Sequence, residues 1–270
     1  MHPRLSVHSV SFPGASLAEL ASFWQRLGLR RLSLIAEQLD GDGLDAVRRL
    51  VADRGYAVEA ITHVFATGAL PSARDGIAAC RERLSRTIAR AETLRANTIY
   101  MISGGRGART WRTAAELFAE ALAPCVREAE QAGIALAVEN ASSLYVDVHL
   151  AHTLRDTIAL AELAGIGICL DHFHCWTEAD FPELVSRALP RVRLVQLSDY
   201  VLGDRALPAR AVPGDGAIPI APLVEQLLAG GYARGFDLEL LGPRIDDEGR
   251  YAAVSRACDR TSAMLDALGA

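Results

Sequence analysis

The 270-residue sequence predicts an α/β protein built as a single (β/α)8 TIM barrel. Three observations predict it. Short β-rich runs recur eight times with helical patterns between them, and that alternation implies parallel pairing through βαβ units. The length agrees, since a barrel of this class needs roughly 250 residues. No linker, low-complexity tract or charge block divides the chain, so residues 1–270 read as one domain. A doubly wound open sheet is the competing architecture. It loses ground because no glycine-rich fingerprint follows the first strand.

The strands read at 5–12 (LSVHSVSF), 31–36 (RLSLIA), 58–65 (VEAITHVF), 98–103 (TIYMIS), 134–140 (IALAVEN), 166–172 (IGICLDH), 193–199 (RLVQLSD) and 236–242 (FDLELLG). Between them, AAELFAEALAPCVREAEQAG at 114–133 carries apolar residues at helical spacing and ends in glycine. PLVEQLLAGGYARG at 222–235 repeats the pattern.

Composition bounds the function. The formal net charge of -5 argues against a nucleic-acid partner. The N-terminus lacks a long apolar segment and no run is long enough to span a bilayer, so a soluble, cytoplasmic protein without membrane contact is expected. Five scattered cysteines without a CxxC pair fit a reduced compartment. All 28 basic residues are arginine. Without lysine there is no Schiff base, no pyridoxal phosphate attachment and no P-loop.

Strand side chains alternate faces. Leu136 and Val138 share one parity, and Ala135, Ala137 and Glu139 the other. Ile168 and Leu170 oppose Gly167, Cys169 and Asp171; Val195 and Leu197 oppose Leu194, Gln196 and Ser198; Leu238 and Leu240 oppose Asp237, Glu239 and Leu241. The bulky aliphatics should face the helices. The other set then faces the barrel axis, with a polar residue near the C-terminal end where barrel active sites lie. Strands five to eight thus each offer one inward oxygen ligand: Glu139, Asp171, Gln196 and Glu239. Each acid alone would read as a helix cap or a solvated charge. Four in matching phase on successive strands point to a divalent cation, because converging carboxylates otherwise raise one another's pKa. The all-oxygen set suits Mn²⁺ first, with Mg²⁺, Co²⁺ or Zn²⁺ as alternatives.

His174, three residues past Asp171, reads as a substrate contact, and His172 as a packing or capping residue of opposite parity. Cys169 and Cys175 read as packing; Trp176 would wall the pocket or cover the rim. The long loop after strand seven, 196–220, contains a PGDG turn and two arginines. Arg210 would meet the substrate, or Arg205 and Arg210 would pair with Asp199, Asp204 or Asp215 to order the loop. His8 and His63 read as satisfied core histidines.

With Glu139 in VEN, Asp171 and His174 as D-x-x-H, then QLSD, RAVPGDG and Glu239 in DLELLG, the sequence resembles the xylose isomerase-like TIM-barrel superfamily. This is the sugar phosphate isomerase/epimerase group. The resemblance implies a metal held by Glu139, Asp171, the strand-seven residue and Glu239. It makes Glu139 and Glu239 proton carriers, and His174 and Arg210 substrate contacts. The strand-seven ligand of the family is often histidine; here it is Gln196, a weaker ligand for zinc-like ions. The implied partner is a small-molecule sugar, keto-sugar or polyol, isomerised or epimerised by proton transfer through a metal-stabilised enediolate. A dehydratase or lyase could use the same site. An endonuclease IV-like phosphodiesterase and a non-catalytic metal- or sugar-binding barrel are the further alternatives, and a homo-oligomer is left open.

Overall fold

The computed structural model describes residues 1–41 and 43–270. Eight parallel strands run as β1 (Leu5–His8), β2 (Arg31–Ile35), β3 (Ala57–Val64), β4 (Thr98–Ile102), β5 (Ala135–Glu139), β6 (Gly167–Asp171), β7 (Val192–Leu197) and β8 (Phe236–Leu238). They are hydrogen-bonded in sequence order and the sheet closes, β8 returning to β1. The helices are α1 (Leu17–Leu27), α2 (Gly43–Arg54), α3 (Arg74–Leu94), α4 (Trp111–Gln131), α5 (Leu154–Ala164), α6 (His172–Cys175), α7 (Phe181–Ala188), α8 (Ile220–Ala229), α9 (Pro243–Glu248) and α10 (Arg250–Ala267). The expected (β/α)8 barrel is the observed one. None of the described helices is long and apolar enough to cross a membrane.

Every strand stops one to four residues before its expected end. At β1 the backbone turns into a 3-10 turn at Ser9–Ser11, where the His8 side chain accepts the N–H of Val10. At β6 the Asp171 side chain accepts the N–H of Phe173 and starts α6. Side-chain caps of this kind compete with the sheet ladder, while the apolar pattern runs on past them.

The chain forms two compact units. The first comprises Met1–Glu59 and Leu194–Ala270. In it β7, β8, β1 and β2 pair with Val195 opposite Phe236, Leu5 opposite Phe236, and Ser6 opposite Arg31. Its inner face is polar: Ser6 Oγ donates to Asp237 Oδ1 (2.5 Å), and Ser33 Oγ donates to Ser6 Oγ (3.3 Å). Burial is the main reason the Asp237 carboxyl is pushed up to about 8. The other face carries Val7, Leu32, Leu34 and Leu238, all fully buried. Each such side chain contributes about 2 kcal/mol. α1 starts on a capping box, Ser16 with Glu19, and ends at Gly28, whose φ of +67° suits glycine.

The second unit, Ala60–Arg193, pairs β3, β4, β5 and β6, with Ile99 opposite Leu136 and Val138 opposite Ile168. α4 carries Pro124 in its interior. Proline has no N–H to give the carbonyl four residues back, and Arg81 of α3 supplies donors there: Nη2 to Glu120 O (3.1 Å) and Nε to Ala121 O (2.7 Å).

Candidate metal and substrate site

In the second unit, Glu139 ends β5 and Asp171 ends β6, both buried. Asn140 joins the two strand ends. Its Oδ1 accepts Asp171 N–H (2.9 Å) and its Nδ2 donates to Asp171 O (2.8 Å). An amide is suited to this because it offers donor and acceptor at the same reach. Asp171 Oδ1 accepts Phe173 N–H (3.0 Å), and Oδ2 lies 3.5 Å from His174 Nε2. The His174 ring meets Tyr145 and Phe173 edge-on, with centroids 6.1 and 5.1 Å away. His174 thus lies beside Asp171, three residues on.

His172 is buried and stacks on Phe181 at 5.2 Å; burial holds its pKa down to about 4. It packs, as its parity implied. Trp176 ends α6, donating its N–H to His172 O (3.1 Å), and is half-buried. Cys169 and Cys175 are buried free thiols. His149 is buried in the loop after β5. Burial, then the neighbouring His152 and His174, hold its pKa down to about 3.

In the first unit, Gln196 of β7 is fully buried and its Nε2 donates to Glu239 Oε2. Glu239 follows the last residue of β8. Arg210 is buried, with Nη2 donating to Glu239 Oε1 (3.1 Å) and Nη1 to Ser198 Oγ (3.0 Å). Both Glu239 oxygens therefore accept a donor, one of them a guanidinium, and the carboxylate is held in one orientation.

The long loop reaches this arrangement through Asp199. Its carboxylate accepts N–H groups from Tyr200 (2.8 Å), Gly214 (2.9 Å), Gly216 (3.0 Å) and Ile218 (3.0 Å). Its backbone exchanges two 2.8 Å bonds with Ala211. Arg210 N–H then donates to Leu241 O (3.1 Å). A side chain on residue 216 would strike Tyr200 O at 2.2 Å and Asp199 Oδ1 at 2.4 Å, so glycine is required there. Arg205 is exposed and orders the loop, donating to Tyr200 Oη and Asp204 O, both at 2.8 Å. Asp215 pairs with Arg256 and Arg260 of α10, and the Arg256 bond leads in holding its carboxyl down at about 2.

His63 behaves as a core histidine, its Nδ1 hydrogen-bonded to Thr87 Oγ1 (3.0 Å). His8 also sits in the interior, with Nδ1 accepting Val10 N–H (3.0 Å); burial, then the Arg210 charge, hold its pKa down to about 3. Sequence reasoning missed Asn140, Tyr145 and the organising part of Asp199. An Asn directly after the inward Glu of VEN was the available signal for the first; Tyr145 left none.

The fold is similar to several solved structures. One is the IOLI protein with a bound zinc atom, at 14% identity and TM-score 0.83, covering 98% of this chain and 99% of that one. Another is L-ribulose 3-epimerase, at 23% identity and TM-score 0.81, covering 100% and 96%. A third is the probable 3-DHS dehydratase AsbF of petrobactin synthesis from Bacillus anthracis, at 14% and 0.75, covering 96% and 98%. At these identities the likeness is one of fold. No match is found among the curated proteins. Residues 14–260, nearly the whole chain, match the family model described as xylose isomerase-like TIM barrel, and the chain belongs to that family.

Proposed function

We propose that the protein is a divalent-metal-dependent isomerase or epimerase of a sugar, keto-sugar or related polyol. One observation carries the reading: Glu139 and Asp171 end the neighbouring strands β5 and β6 with both carboxylates buried. Buried carboxylates on neighbouring strand ends repel unless a cation or protons intervene. The residues fit a divalent ion held by Glu139, Asp171, Gln196 and Glu239. Oxygen donors throughout, with an amide where imidazole is common in the family, favour Mn²⁺ over Zn²⁺.

When bound, the cation supplies positive charge for the substrate oxygen that becomes anionic as a proton leaves the adjacent carbon. The rest is done by the chain. One glutamate, Glu139 or Glu239, takes the proton from the carbon beside the carbonyl, and the other returns it to the enediolate. Arg210 and Gln196 keep Glu239 aimed through their bonds to its two oxygens. His174, steadied by Asp171 and Tyr145, and Arg210 orient the substrate, and Trp176 walls its pocket. Five buried free cysteines support a reducing, cytoplasmic setting.

The dehydratase reading stays as the second, because a fold neighbour carries that name. Elimination of a group β to the carbonyl would start from the same enediolate. The test is a panel of keto-pentoses and keto-hexoses, L-ribulose first, with protein stripped of metal and then reloaded with Mn²⁺. Isomer or epimer formation restored by Mn²⁺ is the expected result; dehydrated product would move the assignment to a lyase. No turnover of any sugar with any divalent ion would overturn the reading.

A further inference from the structure

The pairing of β5 with β6 closes with Glu139 opposite Cys169, two residues short of Asp171. Beyond it the main chain leaves the sheet, and Ala141 N–H donates to Ala151 O (3.0 Å) within the following loop. A side chain carries the link from the end of β5 to Asp171. Asn140 Oδ1 accepts Asp171 N–H (2.9 Å), and its Nδ2 donates to Asp171 O (2.8 Å). Asp171 N–H can only donate and its carbonyl can only accept, so the amide has one orientation. A carboxamide offers the same donor and acceptor as a peptide group. Asn140 therefore adds one rung to the sheet after the backbone has turned away.

This rung ties together the carriers of two buried carboxylates. Asn140 is fully buried and directly follows Glu139; its partner is Asp171 itself. The Asp171 carboxylate is turned by its own helical turn, with Oδ1 accepting Phe173 N–H (3.0 Å). Cys175 Sγ reaches Asp171 O from that same turn (3.3 Å). Those two bonds fix which way the carboxylate points. The Asn140 amide fixes where β6 carries it relative to β5. Like charges on neighbouring strand ends push apart, and a two-bond rung between the ends resists that movement.

We propose that Asn140 is a positioning residue: it holds Asp171 against Glu139 and so presets the spacing of these two carboxylates for a divalent cation. This rests on the cation site of the functional reading above and is independent of which sugar is turned over. Groups that orient a ligand control affinity without touching the ion.

The test is a Mn²⁺ titration of metal-stripped protein, the free ion being read by electron paramagnetic resonance, at a temperature well below unfolding. Asn140→Leu keeps the volume and deletes both bonds. Asn140→Gln keeps the amide but moves it by one methylene. Leu122→Ala, in the buried face of α4, is the control for lost stability alone. Both Asn140 variants are expected to bind Mn²⁺ about 10–100-fold more weakly than the wild type. Leu122→Ala is expected to unfold earlier and bind Mn²⁺ like the wild type. Wild-type affinity in Asn140→Leu overturns the proposal, as does an equal loss in Leu122→Ala. Should Asn140→Leu not fold, Asn140→Gln decides by the same criterion. The metal-free wild type gives a reading that needs no variant. Deuterium exchange at the Asp171 amide should be at least about tenfold slower than at the Ser143 amide of the exposed turn; equal rates would overturn a preset rung. A wild type that binds Mn²⁺ yet turns over no sugar overturns the isomerase reading and leaves the role of Asn140 standing. One that binds no divalent ion overturns both.

Discussion

Gln196 is the proposed strand-seven ligand, at the position where the family resemblance implies that imidazole is common, and the proposed metal preference turns on it. Its amide donates to Glu239 and sits fully buried in β7. Gln196→His is expected to keep the fold and to shift metal preference towards Zn²⁺, Co²⁺ or Ni²⁺, since imidazole is the softer ligand at comparable reach. Metal content after growth with competing ions measures it, and an unchanged profile would remove Gln196 from the ligand set. Gln196 was legible because strand alternation is a strict two-residue rule, and the same rule exposed Glu139, Asp171 and Glu239. Asn140 was not legible. Its function is set by a partner 31 residues away, across a register that the sequence does not print.

Among the elements, the loop after β7 depends on a single carboxylate. The sequence showed a long loop with a PGDG turn, and pairing of its arginines with Asp199, Asp204 or Asp215 was one expectation. Asp199 instead accepts four backbone N–H groups, and no local pattern distinguishes that from an ion pair. Asp199→Ala leaves those donors without their acceptor, at a cost on the order of 2–4 kcal/mol. It is expected to lower thermal stability and open residues 200–218 to proteolysis, with Arg210 displaced; wild-type protease resistance would contradict this. A second element-scale prediction concerns the packing of β3 on α3. His63, bonded to Thr87, is held neutral by burial and by Arg83 and Arg86, with its pKa near 4. As pH falls below about 6.5 the unfolded chain takes up the proton first, so stability present above that pH is lost progressively down to about pH 4. His63→Asn, which can keep the Thr87 bond, should remove about 2 kcal/mol of that loss at pH 5. Denaturant midpoints at pH 7 and pH 5 measure it; equal slopes in variant and wild type would refute it.

At the scale of the molecule, the eightfold alternation of strand and helix survives without help from any single residue, which is why the barrel could be read before its details. Strand ends were read least well, because side-chain caps such as His8 and Asp171 stop the ladder while the apolar pattern continues. The same closed parallel sheet puts the ends of β5 to β8 in sequence order, and those ends carry the proposed ligands and bases. The central claim is that Glu139 and Glu239 exchange a substrate proton with solvent. The direct measurement is deuterium incorporation by nuclear magnetic resonance, with a turned-over keto-sugar, Mn²⁺-loaded protein and deuterated water. Deuterium should appear at the carbon beside the carbonyl. Glu139→Gln and Glu239→Gln, each first shown to hold Mn²⁺, should lose that exchange by about 10²–10⁴-fold. His174→Ala should mainly raise KM and keep exchange at saturating substrate. Exchange at the wild-type rate in either metal-holding glutamine variant would contradict the account.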